Sequence, residues 1–104
     1  MRIRSGTDLE AFLWKRDGTI TTFDVPGSTS TNPASINPAG LIAGWYWDAN
    51  GVSHGFLRKT VGAFDAFDVP GATQTSPSAI NPAGLITGTY SDANFVQHGF
   101  RARP

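Results

Sequence analysis

Hydrophobic and polar positions alternate along this chain in short runs with a period of two. From Leu41 to Trp47, Ile42, Gly44 and Tyr46 fall on one side and Leu41, Ala43, Trp45 and Trp47 on the other. Val52, His54 and Phe56 share a side in the next run. Such alternation puts successive side chains on opposite faces of a β-strand, and no window carries a helical period long enough to compete. Turn chemistry separates the runs. Asn37-Pro38-Ala39-Gly40 and Asn81-Pro82-Ala83-Gly84 place Asn first, Pro with its preset φ second, and Gly where a positive φ closes a hairpin. The flanks, Ser35-Ile36 and Leu41 to Trp47, read as paired antiparallel strands. Asp48-Ala49-Asn50-Gly51 predicts a tight primed turn on Asn-Gly, whereas Asp92-Ala93-Asn94-Phe95 carries Phe at the Gly position and must be built differently or strained. A strand over Val52 to Arg58, a loop around Gly62 and a strand over Phe64 to Val69 follow. Pro70-Gly71 ends the last of these, because Pro has no ladder donor.

These elements recur every 44 residues. Phe23-Asp24-Val25-Pro26-Gly27 returns as Phe67 to Gly71, Ile36 to Ile42 returns as Ile80 to Ile86, and Val52, His54, Gly55 and Phe56 return as Val96, His98, Gly99 and Phe100. Laying 23–60 on 67–104 gives 24 identities in 38 gapless positions, too many for shared turn chemistry alone, so the copies arose by duplication. The chain divides into a lead-in, 1–9, and a β-repeat region, 10–104, made of a partial unit (10–22), a full unit (23–66) and an incomplete one (67–104). Four short strands per 44 residues is the period of a β-propeller blade. The expected fold is all-β, built of antiparallel four-stranded, propeller-like units, with a single β-sandwich as the alternative. Ile42, Gly44 and Tyr46 match Ile86, Gly88 and Tyr90, which marks their side as the repeated core; the other side varies.

Composition narrows the functional classes. The 104 residues carry no net charge and only 15% charged side chains, which gives no electrostatic reason to seek nucleic acid or an anionic membrane. With no Cys, disulfides, thiol nucleophiles and thiolate zinc sites are excluded. No apolar run reaches the roughly 18 to 20 residues of a membrane span, so no membrane insertion is expected, and no signal peptide is visible after Met1-Arg2-Ile3-Arg4.

The run from Ala79 to Tyr90, with Asp92 and His98-Gly99-Phe100, resembles the bacterial extracellular HAF repeat family, named for a His-Ala-Phe-like tripeptide; Ser35 to Phe56 is its counterpart. The resemblance implies a repeat array in exported or surface proteins without an established catalytic role, hence an extracellular or cell-surface location. Glu10-Ala11-Phe12 departs from the tripeptide at its His position.

The candidate side chains mostly fall on repeat-equivalent positions. His54 and His98 sit on neighbouring units rather than at one centre, and each is expected to hydrogen-bond a backbone group or a carboxylate. Asp24 with Asp68 and Asp48 with Asp92 occupy turn-capping places. Asp48-Ala49-Asn50 begins an oxygen-ligand loop that no downstream Glu completes. Tyr46, Tyr90, Asn37, Asn81, Gly40 and Gly84 are the other structural repeat positions. Ser28 to Asn32 and Ala72 to Ser76 read as polar connections between units and as a candidate rim. There is no Gly-x-Ser-x-Gly elbow and no phosphate-cradling loop.

Trp45 and Trp47, replaced by Thr89 and Ser91 in the second copy, are the candidate ligand-binding pair, with Trp14 as a candidate third member. Aromatics of this kind stack on sugar rings, anchor partners or pack between units. The expected function is a non-catalytic β-repeat module with structural or protein-interaction roles, part of an array or oligomer. A carbohydrate-binding module using exposed Trp is the alternative, and a glycoside hydrolase using the repeated carboxylates ranks below both. No cofactor or metal is expected. The expected partners are further copies or flanking repeats, then a glycan or another protein.

Overall fold

The computed structural model describes residues 2–5, 11–14, 18–60 and 62–103, with 2–5, 11, 12 and 14 as backbone alone. The described residues form ten strands: β1 (Arg2–Ser5), β2 (Ala11–Trp14), β3 (Ile20–Phe23), β4 (Ser30–Ile36), β5 (Ile42–Trp47), β6 (Ser53–Arg58), β7 (Phe64–Phe67), β8 (Gln74–Ile80), β9 (Ile86–Ser91) and β10 (Gln97–Ala102). They pair antiparallel in chain order as three sheets, β1-β2-β3, β4-β5-β6-β7 and β8-β9-β10. The described residues are all-β, and among them no helix is long and apolar enough to cross a membrane. The strands are divided among three sheets rather than the two of a sandwich.

The 44-residue shift carries β4, β5 and β6 onto β8, β9 and β10, and β2 and β3 onto β6 and β7. Strand β1 takes the place of β5 at a different offset. Arg2 lies opposite Trp14 and Ile42 opposite Arg58, so its offset is 42 − 2 = 40 residues. Residues 2–5 of the lead-in thus belong to the first sheet.

Two apolar clusters hold the sheets face to face. In the first, Leu13, Phe23 and Val25 bury against Ile42 and Phe56 of the second sheet. In the second, Ala43 and Leu57, from that sheet's opposite face, bury against Ile80 and Ile86. Strand β8 lies across β4, β5 and β6, while β1 packs on β4. Full burial of an aliphatic or Phe side chain stabilises by about 1.5–3 kcal/mol, so these two contacts are the main attractive term. The varying face now has a physical account. Where Ala43 and Leu57 are covered by the third sheet, their counterparts Thr87 and Arg101 face solvent.

Close approach within a sheet requires glycine. Strand β4 bulges between Pro33 and Ser35, and β8 between Pro77 and Ala79. A Cβ on Gly44 would sit 2.3 Å from the Asn32 carbonyl oxygen and 2.9 Å from the Phe56 ring; one on Gly88 would sit 2.4 Å from the Ser76 carbonyl oxygen. No side chain fits there.

The structure corrects the reading of Ser28 to Asn32 and Ala72 to Ser76 as connections. Ser30 to Asn32 open β4, and Gln74 to Ser76 open β8. Thr31 and Thr75 are fully buried. The Val25 N–H donates to Thr31 Oγ1 at 3.1 Å and the Val69 N–H to Thr75 Oγ1 at 3.3 Å, so each hydroxyl ties the preceding Val-Pro-Gly turn to the strand it leads into. A polar composition hid that role. The outer strand also stops earlier than expected, at Phe67, because Val69 is engaged in a turn that closes on the Ala72 N–H.

The Asn-Pro-Ala-Gly turns form as expected. The Gly40 N–H donates to the Asn37 carbonyl, the Leu41 N–H donates to Asn37 Oδ1, and Gly40 has φ +86°. Asn81, Leu85 and Gly84 repeat the arrangement. Asn37 does something more: its Nδ2 donates to the Asn81 carbonyl oxygen at 3.1 Å, joining one repeat to the next at equivalent residues. Asn37→Asp keeps the acceptor of the turn but loses this donor. It is expected to destabilise by about 1–3 kcal/mol, whereas Asn81→Asp should change stability by less than about 0.5 kcal/mol, as chemical denaturation would measure.

Candidate functional site

The repeated His and Asp positions converge in the second sheet. His54 lies opposite Tyr46 across β5 and β6, with ring centroids 5.2 Å apart. Its Nε2 meets Asp48 Oδ2 at 2.7 Å, and its Nδ1 meets both oxygens of Asp68 at 2.8 and 2.9 Å. With a carboxylate on each nitrogen, both must be donors, which is the bonding pattern of the imidazolium. The carboxylate bonds, Asp48 first, accordingly raise the His54 pKa above the usual imidazole range against a smaller opposing effect of burial. The bond to His54 chiefly lowers the Asp48 pKa. Burial, then the charges of Asp68 and Asp48, raises that of Tyr46.

The third sheet keeps half of this arrangement. His98 stacks on Tyr90 with centroids 5.1 Å apart, and its Nε2 meets Asp92 Oδ2 at 2.9 Å, which lowers the Asp92 pKa. Among the described residues Asp92 is the only acid on it. The His98 side chain is 43% exposed against 22% for His54, so the second acid also covers the ring. Glu10, at the equivalent His position of the first sheet, lies outside the described residues.

Asp48 and Asp92 also cap their turns. Asp48 Oδ1 accepts the N–H groups of Asn50 and Val52 at 2.8 and 3.0 Å, and Asp92 Oδ1 those of Asn94 and Val96 at the same distances. The turn differs from the Asn-Gly type expected. The Gly51 N–H closes on the Asp48 carbonyl, which makes Ala49 and Asn50 the central residues and leaves Gly51 fourth, with φ +75°. Phe95 adopts the same left-handed backbone, φ +61°, and its side chain is exposed. The strain expected of this copy is therefore present, because a Cβ in that region crowds the backbone.

The four carboxylates do not gather in one cleft. Asp48 and Asp68 approach each other through the His54 ring between them, Asp92 serves His98, and Asp24 is exposed on the link before β4. Trp45 and Trp47 pack edge to face, centroids 5.7 Å apart and planes at 84°. Both are half-buried and line a cleft of about 230 Å³ between the second and third sheets, facing Gln74, Ser76 and Gln97. Gln74 crosses this boundary, accepting the Ser53 N–H. Trp14 lies on β2 opposite Arg2 and Ile20, and its side chain is outside the described residues.

Asp68 as a partner of His54 and Gln74 as an inter-sheet tie were missed from sequence. The signal for Asp68 lies in register: Gly55 pairs with Phe67, so the residue just past the end of β7 falls beside the one before Gly55. Comparison with protein-family models, with curated proteins and with solved structures gave no match.

Two predictions follow from this geometry. Phe95→Gly removes the left-handed strain and is expected to raise stability by about 1 kcal/mol, read as a higher melting temperature. The second concerns pH. The raised His54 pKa contributes stability fully present below the ordinary imidazole value and lost as pH rises through the folded value. The lowered Asp48 and Asp92 contribute stability present above the ordinary carboxylate value and lost as pH falls through theirs. Melting temperature should therefore be highest between about pH 4 and pH 6.5, and His54→Ala should flatten the decline above it.

Proposed function

We propose that the chain is a non-catalytic β-repeat module whose sheets are propeller-type blades, acting as a scaffold or protein-interaction element of the HAF-repeat kind in an exported or surface protein. One observation carries this reading. The polar side chains that recur with the repeat are occupied in holding it together: His54 between Asp48 and Asp68, Asp48 on its turn, and Asn37 on the next unit's backbone. A four-stranded meander packed face to face on its neighbours, in chain order, supports the blade reading. Repeat stacks present their edges and loops to partners, and further copies or flanking repeats are the natural first ones.

The inter-sheet cleft supports a second reading, carbohydrate binding. Two Trp rings beside Gln74, Ser76 and Gln97 combine an apolar platform with amide and hydroxyl partners suited to sugar hydroxyls. The readings separate experimentally. The module reading expects Trp45→Ala and Trp47→Ala each to destabilise by about 1–3 kcal/mol through lost packing, and a glycan array to give no saturable binding. A glycan bound by the parent protein and lost in Trp47→Ala, with the melting temperature unchanged, would assign the cleft to sugar instead.

A further inference from the structure

The repeat supplies its own reference for what belongs at the edge of β10 that is unpaired among the described residues. In the second sheet the fourth strand, β7, pairs with β6 and performs three tasks. Phe64 packs on the first apolar cluster, 6.1 Å from Phe23 and 6.0 Å from Phe56 between ring centroids. Phe67 lies against Gly55, where a Cβ would come within 2.7 Å of its ring. Asp68, just beyond the strand, takes the Nδ1 of His54.

Shifted by 44 residues, each task has a receptor in the third sheet. Leu57, Phe67, Val69, Ile86 and Phe100 are the counterparts of Leu13, Phe23, Val25, Ile42 and Phe56. Together they line an apolar cavity of about 390 Å³ at the outer end of the second and third sheets, where the counterpart of Phe64 would sit. Around Gly99 an added Cβ would meet only the Gly88 carbonyl oxygen, at 3.9 Å, so the glycine face is open to a ring. Among the described residues, His98 is held at Nε2 alone. Charge adds a fourth correspondence. Leu57 pairs with Asp65 across β6 and β7, so the residue in the place of Asp65 would lie opposite Arg101, which replaces Leu57. The exposed face of the third sheet is a poor alternative docking surface, because Thr87, Thr89 and Arg101 make it polar.

We propose that the edge of β10, unpaired among the described residues, takes up an extended partner strand of the form Phe-Asp-x-Phe-Asp. Its first Phe enters the cavity, its second covers Gly99, its first Asp faces Arg101 and its last Asp closes on His98. The strand runs antiparallel to β10 and completes a four-stranded sheet, so that backbone hydrogen bonds give affinity and the two rings and two acids give selectivity. This deepens the module reading and rests on it.

The test uses the intact protein and a synthetic peptide of residues 63–70, Ala-Phe-Asp-Ala-Phe-Asp-Val-Pro, followed by calorimetry and by amide exchange. The expected result is 1:1 binding that protects the backbone amides of Gln97–Ala102 and moves the His98 imidazole resonances. Replacing the first Phe by Ser in the peptide should weaken binding at least about tenfold. Replacing the last Asp by Asn should weaken it severalfold for the parent protein and not at all for His98→Ala. No binding, or binding indifferent to these changes, overturns the strand site alone, since the Trp variants decide the module reading separately. A protein whose β10 amides are already protected without the peptide, as a dimer or as a monomer, would show the edge occupied and overturn the proposal.

Discussion

Face-to-face burial of one sheet on the next is the interaction on which the rest of the structure depends. Each boundary is closed by residues from both sides: Leu13, Phe23 and Val25 on Ile42 and Phe56, then Ala43 and Leu57 on Ile80 and Ile86. Phe23 ends the outer strand of the first sheet and Val25 lies on the link leading away from it, so the chain carries its own apolar contacts to the next unit. Thr31 then fixes that link by accepting the Val25 N–H. Without this burial, strands of four to seven residues would not offset the conformational entropy of ordering them.

The same constraint explains where the copies keep their residues and where they diverge. Ile42 and Phe56 match Ile86 and Phe100 because both pairs face the preceding sheet. Gly44 and Gly88 are kept because a bulged proline strand and a Phe ring press on both. Divergence concentrates on the opposite face, where the second sheet is covered and the third is not. Ala43 and Leu57 become Thr87 and Arg101 there, a change that burial would penalise and solvent tolerates.

Polar chemistry in this protein serves the links between strands. Asp48 caps its turn through one oxygen and holds His54 through the other, and His54 reaches Asp68 beyond the outer strand. The imidazolium thereby joins the loop between β5 and β6 to the link that follows β7. Ring contact of His54 with Tyr46 and of His98 with Tyr90 orients both imidazoles, whereas among the described residues the second sheet alone supplies the further acid.

The sequence by itself determined β5, β6, β9 and β10, the Asn-Pro-Ala-Gly turns, the repeat and the face its copies share, since alternation, turn propensity and duplication are properties of neighbouring or equivalent residues. Strain at Phe95 was legible for the same reason: only a residue without Cβ is at ease where Gly51 stands. The tertiary structure alone decided what lies opposite what. Register brought Asp68 to His54 and burial turned Thr31 and Thr75 from connection into strand. Sheet packing set Trp45 and Trp47 against Gln74 and Gln97 in one cleft, and it left the β10 edge unpaired among the described residues. Those relations depend on distances between segments remote in sequence, which no local pattern encodes.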